Sequence, residues 1–396
     1  MTRVLTSGDK AKMNFEFATA TRIVFGAGSV GNAGRDLRAY GRRALVVTGR
    51  DSSRASKLLA GLQSNGIATF GFGVSGEPEL VTVVEGTKLA KAEQCEFVIG
   101  LGGGSALDAA KAIAAMMTND GELLDYLEII GRGQPLKKCS APFIAIPTTA
   151  GTGSEVTRNA VLASPKDRVK ASLRSPFMLA RIAVVDPELT YDLPPSLTAS
   201  TGLDALTQVI EPFVCLRANP MTDGLCIEGM RRVARSLREA VQNGQDRSAR
   251  EDMAVASLFG GLALANAGLG AVHGFAGPIG GMFSAPHGAV CAALLPHVMS
   301  ANIRALRKRD ERSPALSRYR RVAEICTGDR HATADAGVEW VSRLINDLKI
   351  PSLGAYGIKA EHVEEIVTKA KNASSMKANP IVLTPEELGE TLRKAL

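Results

Sequence analysis

The chain has 396 residues, of which 45% are apolar, 22% charged and only 5% aromatic. That length accommodates two domains with cores of their own, and the composition excludes a disordered, collagen-like or disulfide-stapled chain. The formal charge of +7 has a local source, since eight basic and two acidic residues lie between Arg304 and Arg321 at helical spacing with a single tyrosine; this reads as a solvated helix face, with neither a nucleic-acid nor a membrane partner implied.

The first residues, MTRVLTSGDKAKMNF, have no apolar core and no cleavage signal, so they read as a short flexible arm and not a signal peptide. A short apolar run, Ile23-Val24-Phe25, leads into Gly26-Ala-Gly28-Ser-Val-Gly31, with Asp51 twenty residues further on. On pattern alone this is a dinucleotide fingerprint, although little room is left for a full βαβ unit. Four Val- and Ile-rich runs then read as buried parallel strands: Ala44–Thr48, Phe97–Leu101, Phe143–Pro147 and Ile182–Val185. Helical segments lie between them, over Ser53–Leu62, Val81–Ala92 and Asp108–Met117. The alternation predicts an α/β domain over 1–190 with a parallel sheet covered on both faces. Beyond Pro194-Pro195 helical periodicity takes over, which predicts an all-α domain over 191–396.

Two further polar loops follow strands. The run Ile99-Gly-Leu-Gly102-Gly103-Gly104-Ser105 carries a strand into three glycines and a helix, so bare N–H groups and the positive helix end suit a pyrophosphate. The next strand is followed by Thr148, Thr149, Gly151, Thr152, Gly153, Ser154 and Thr157, whose hydroxyls stand at the carboxyl edge of the sheet, the usual ligand crevice.

No Asp, Glu, Lys or Arg occurs from Met253 to Ile303. The window Ala254–Val272 is long enough to cross a bilayer, but its Ala/Gly composition and the nearby histidines read as a buried central helix. Three of the five histidines, His273, His287 and His297, lie in this stretch. Upstream, Asp204 and Gln208 stand at i and i+4 and share a helix face. One carboxylate and two imidazoles suit Fe(II) or Zn(II) with a position open to substrate, although spacing alone does not bring Asp204, His273 and His287 together. His331 and His362 sit in polar surroundings and read as surface residues. The six cysteines include no CxxC pair, which reads as reduced thiols in a cytoplasmic protein.

The segments FGAGS (25–29), GGGSALDAAKAIA (102–114), PTTAGTGSEVT (147–157), VVDPEL (184–189), TGLDALTQVIE (201–211) and HGFAGPIGGMFSAPHGAVCAALLPHV (273–298) together resemble the iron-containing (group III) alcohol dehydrogenase family. The resemblance implies a Rossmann-like domain followed by a helical one, the dehydroquinate-synthase-like architecture, with a metal and a nicotinamide meeting in the cleft. It also implies that the pyrophosphate lies on the GGGS loop and that the FGxG stretch is a structural turn. Asp204, His273 and His287 resemble metal ligands. At the fourth position the family usually has histidine where this chain has Gln208, a weaker donor. Gly277 stands where many members carry a proton-relay histidine, so the relay must use water, the cofactor ribose or another group.

Around the dinucleotide, Gly103, Gly104, Ser105, Thr148, Thr149, Thr157, Lys170 and Leu189 match family positions. The place of an NAD-selecting acidic residue is taken by Gly49, followed by Arg50 and Arg54, which favours NADP(H) over NAD(H) against the counter-signal of Asp51. Asn159 is a substrate-facing candidate. The implied reaction is reversible NAD(P)H-linked reduction of an aldehyde or ketone to an alcohol, with one divalent metal, Fe2+ or Zn2+, by a homodimer or larger homo-oligomer. The alternatives within the same architecture are a metal-independent, maleylacetate-reductase-like carbonyl reductase and a dehydroquinate-synthase-like lyase.

Overall fold

The computed structural model describes residues 14–396; the N-terminal arm expected above lies, but for its last two residues, outside the described residues. The first part of the chain runs β1 (Arg22–Phe25), α1 (Ser29–Leu37), β2 (Arg43–Thr48), α2 (Ser56–Ser64), β3 (Ala68–Gly73), α3 (Leu80–Ala92), β4 (Phe97–Gly102), α4 (Gly104–Thr118), a one-turn α5 (Leu123–Tyr126), β5 (Phe143–Pro147), β6 (Asn159–Ser164), β7 (Val169–Arg174) and β8 (Ile182–Val185). Six strands form one parallel sheet in the order β1-β8-β5-β4-β2-β3, while β6 and β7 pair as a separate antiparallel hairpin.

Along β2, β4 and β5 successive side chains enter opposite cores, so both faces must be apolar and the strands appear in sequence as unbroken runs. Ala44, Val46, Phe97, Ile99, Ile144 and Ile146 pack under α1 and α2 with Val30, Leu37, Leu58 and Leu62. Leu45, Val47, Val98, Phe143 and Ala145 pack on the other side with Val83, Leu107 and Ile113 of α3 and α4. Each fully buried Leu, Ile or Phe here contributes roughly 1.5–3 kcal/mol of burial.

The chain leaves β2 for β3 on one side and returns to place β4 on the other. The strand order therefore reverses between β2 and β4, the position at which open α/β sheets hold ligands beyond their carboxyl ends. The register aligns Thr48 with Leu101, and Gly102 with Pro147, so the three loops carrying Gly49, Gly103 and Thr148 rise side by side.

After β8 the chain is helical: α6 (Pro195–Val214), α7 (Pro220–Gln242), α8 (Arg247–Ala267), α9 (Ala271–Met282), α10 (His287–Arg309), α11 (Pro314–Thr327), α12 (Ala334–Asp347), α13 (Val363–Lys371) and α14 (Pro385–Lys394). The window 254–272 is not one helix. It breaks at Gly268, which has φ +91°, and α8 and α9 meet at 99°. The apolar window of α10 is 83% buried within the protein. The basic stretch begins in the last turn of α10, where cations complement the helix carbonyl end. Four of its arginines pair across elements: Arg304 with Glu390, Arg307 with Asp335, Arg309 with Glu387 and Arg318 with Asp223.

The helical half meets the sheet half across main chain. Ala254, Leu258 and Leu262 of α8 join the core beneath α4. Beside them Gly153, at φ +61°, lies directly on Gly261. A Cβ at Gly153 would stand 2.6 Å from Gly261 N and 2.9 Å from Ser257 O, and one at Gly261 would stand 2.8 Å from Gly153 Cα. At Gly153 and Gly261 the loop after β5 is thus pressed main chain to main chain onto α8, with Val156 beside the contact.

Candidate active site

Helix α4 begins at the end of β4 without a side-chain cap, and its first turn carries no acidic residue. The N–H groups of that turn have no intrahelical partner, so with Gly103 and Gly104 they form an anion cradle. Side chains are excluded there by neighbours: a Cβ at Gly104 would sit 2.8 Å from Thr152 Cγ2, and one at Gly102 would sit 3.3 Å from Gly49 N. Gly49 lies across the β2/β4 crevice, and Gly103 faces Thr149. The rival fingerprint at 26–31 has its N–H groups already occupied. The Asp186 carboxylate accepts from Gly28 N at 3.0 Å and Val30 N at 3.1 Å, so that helix end is closed by the protein itself.

Behind the cradle, Lys111 is fully buried. Its Nζ donates to Ser154 O (2.8 Å), Ser154 Oγ (3.0 Å), Thr157 Oγ1 (3.0 Å) and Asn159 O (2.8 Å), and Asp108 lies 3.6 Å away. Asp108 in turn accepts from Ser154 Oγ and from Val161 N. This network fastens the loop after β5 to α4 and commits the Thr157 hydroxyl. Burial pushes the neighbouring Glu155 carboxyl up to about 7. Lys170 on β7 is paired with Glu77 at 2.9 Å and lies under Gly280 of α9. The Leu189 carbonyl accepts from Arg54, Arg50 donates to Ser75 Oγ, and Asp51 accepts from Ser53 N. Asn159, half-buried, opens β6.

In the helical half, α6, α9 and α10 converge on one point. His273 Nε2 lies 3.4 Å and His287 Nε2 3.8 Å from Asp204 Oδ1. Asp204 and Gln208 are each 2% exposed, and among the described residues Asp204 Oδ1 and Gln208 Oε1 are both buried without a hydrogen-bond partner. Burial opposes the Asp204 charge, but His287, His273 and the Gln208 amide outweigh it and hold the carboxyl below the usual carboxylate range. An unpartnered buried carboxylate oxygen is costly unless a cation completes it. Facing imidazole nitrogens make the donor set that of a divalent transition ion, so these residues fit a metal.

Two residues at this point were missed by sequence reasoning. Glu211, seven residues after Asp204 on α6, accepts from His273 Nδ1 at 2.6 Å and from Val272 N at 2.7 Å. It thereby fixes the tautomer that presents Nε2 as a donor atom, the usual support of a metal-bound histidine. Cys291, one turn after His287 on α10, places Sγ 3.8 Å from His273 Nε2 and 3.7 Å from His287 Nε2. Periodicity was the available signal for both. His273 is 7% and His287 33% exposed, so the cluster opens on the His287 side. A Cβ at Gly277 would meet nothing within 4 Å, which leaves open space one helical turn from His273. His297 is half-buried and stands outside the cluster.

Residues 20–187 match the iron-containing alcohol dehydrogenase family, and residues 198–396 match the C-terminal part of the same family. The chain belongs to that family. It is 35% identical over 381 residues to alcohol dehydrogenase 4 of Schizosaccharomyces pombe, covering 94% of this chain and 87% of the relative. With the 1,3-propanediol dehydrogenase of Citrobacter freundii it shares 35% identity over 397 residues, covering 96% and 98%. The structure of a sulfoacetaldehyde reductase from Bifidobacterium kashiwanohense, solved in complex with NAD+, superposes with a TM-score of 0.84 at 28% identity, covering 97% and 99%. The protein is therefore an oxidoreductase acting on CH–OH donors, of a family that combines a nicotinamide dinucleotide with a metal.

Proposed function

We propose that this chain interconverts an aldehyde or ketone and its alcohol with NADP(H) in preference to NAD(H), at a divalent metal held by Asp204, His273 and His287 with Gln208 alongside. The observation that carries this reading is the orphaned Asp204 Oδ1, buried between two imidazole nitrogens at 3.4 and 3.8 Å. When bound, the ion polarises the carbonyl oxygen and the dihydronicotinamide supplies hydride to the carbonyl carbon.

The chain's own groups do the rest. Glu211 holds His273 in its donor tautomer, and Asp204, from α6, brings a negative charge to histidines whose own segment, 253–303, has no Asp, Glu, Lys or Arg. The first turn of α4, with Gly103, Gly104 and Ser105, receives the pyrophosphate, and Thr148 and Thr149 flank it. Thr157 acts through the Lys111 network, which keeps the loop in shape. Lys170 and Leu189 border the dinucleotide, and Gly49 gives its adenosine end close approach. Arg50 is exposed, with the Ser75 hydroxyl as its partner among the described residues, and would pair with a 2′-phosphate; the Asp51 carboxylate is turned to Ser53 N. Asn159 faces the substrate, and the space at Gly277 admits water for the proton. We assign the nucleotide unit to 1–190 and the metal unit to 191–396, working as a cytoplasmic homo-oligomer on a small alcohol or aldehyde.

The test is metal content and turnover of protein purified without oxygen or chelator. The expected result is one ion per chain with aldehyde-dependent oxidation of NADPH. Arg50→Ala should raise the KM for NADPH about tenfold, the loss of one charge-assisted hydrogen bond, and leave that for NADH unchanged. Turnover without metal would overturn the metal assignment, and equal effects on both nucleotides would overturn the cofactor preference.

A further inference from the structure

We propose that Cys291 Sγ is the fourth protein donor of the metal and that it makes this a zinc site; the inference rests on the metal reading above. The residues that position it are already in place. His287 and Cys291 stand at i and i+4 on α10, so both point at Asp204 on α6 and His273 on α9. The donor atoms of Asp204, His273, His287 and Cys291 all lie within 4.8 Å of one another.

Geometry agrees with one shared ion. A tetrahedral zinc with bonds of about 2.0–2.1 Å to N and O and about 2.3 Å to S separates its donors by roughly 3.3–3.6 Å. The separations here are 3.4 and 3.8 Å from Asp204 to the two imidazoles, and 3.8 and 3.7 Å from Sγ to the same nitrogens. A contraction of a few tenths of an ångström closes these four separations, and the other two lie within 4.8 Å. His273 turns its other nitrogen to Glu211, so the nitrogen facing the sulfur is the free one. Cys291 is fully buried, and its polar neighbours are these two imidazoles. The unpartnered Asp204 Oδ1 beside it is an independent sign that a cation belongs at this point.

Gln208 is the competing fourth donor. Its amide lies against the Asp204 carboxylate, and its Cβ rests on Gly260, which has room for nothing larger: a Cβ at Gly260 would stand 3.0 Å away. The Gln208 carbonyl is a neutral oxygen donor, whereas the sulfur supplies the soft, anionic ligand. Among divalent ions, thiolate with imidazole and carboxylate favours zinc over a mononuclear ferrous centre. On loading, the Cys291 S–H bond breaks, its proton passes to solvent, and the sulfur–metal bond forms. The ion is divalent before and after, so no electrons move.

The experiment is zinc-edge X-ray absorption on the full chain loaded with zinc, for the wild type, Cys291→Ser and Gln208→Ala. One sulfur neighbour at about 2.3 Å is expected in the wild type and in Gln208→Ala, and none in Cys291→Ser. Chelator competition should show zinc affinity at least about tenfold weaker in Cys291→Ser. A loaded wild type with only nitrogen and oxygen neighbours would overturn the sulfur assignment and leave the metal site standing. A wild type that takes up neither zinc nor iron would overturn both. The wild-type spectrum decides even if the serine variant does not fold.

Discussion

Two buried polar clusters, one around Lys111 and one around Asp204, differ in completeness. Around Lys111 the Nζ hydrogen bonds, the Asp108 oxygens and the Ser154 and Thr157 hydroxyls are all matched within the protein. Around Asp204 the protein leaves one carboxylate oxygen and one amide oxygen without partners. Burial costs both clusters desolvation. The first recovers it on folding and fixes a loop, whereas the second recovers it only when something else arrives. Completeness, more than burial, separates a polar cluster that builds the fold from one that holds a ligand.

Three substitutions break or sharpen that contrast. The largest effect is expected at Asp204. Asp204→Ala should empty the metal site and lower turnover about 10³–10⁴-fold, a loss of several kcal/mol of transition-state stabilisation. The melting temperature of metal-free protein should move little, because the carboxylate removed is only partly satisfied. Lys111→Met should do the reverse, costing about 3–5 kcal/mol of stability by stranding Asp108 and four acceptors. Denaturant melts of the two metal-free variants read this difference, and equal losses would contradict it.

The smallest effect is a pH slope. Unfolded Glu155 ionises near 4.5, and in the fold it holds its proton to about 7. Between those values the native state binds the extra proton, so stability falls as pH rises, by about 3 kcal/mol at most above pH 7. Glu155→Gln should flatten stability between pH 5 and 8. An unchanged slope would place the titration elsewhere.

Much of this architecture is legible in the sequence, for identifiable reasons. Strands buried on both faces are unbroken Val/Ile runs, so β2, β4, β5 and β8 can be read within about a residue. Strand β3, ATFGFG, lies at the sheet edge with no residue fully buried and two glycines, and has no such run. The hairpin β6–β7 interleaves Lys170 and Arg174 with buried Ala171 and Leu173, an alternation too short to stand out. Helix α4 begins at Gly104, inside the glycine run and four residues ahead of the segment Asp108–Met117 read from the pattern.

At the site, His273 and His287 are visible because histidines are scarce and the surrounding segment carries no charge. Glu211 and Cys291 are hidden because they matter only through a helical turn whose inner face the sequence does not mark. The glycine fingerprint at 26–31 illustrates the opposite failure. Its pattern is complete, yet the residue that disqualifies it, Asp186, lies more than 150 positions away and joins it only through β1–β8 pairing.

The contact of Gly153 with Gly261 bears on how this protein can change over generations. In most cores an enlarged side chain can be offset by shrinking the one opposite. Here the atoms opposite are Gly261 N, Gly261 Cα and Ser257 O, all main chain, and nothing smaller than glycine exists to replace them. A methyl group gained at either position therefore has no compensating partner, and only reversion restores the fit. Drift can proceed over the surfaces around this contact, but the contact itself is held fixed.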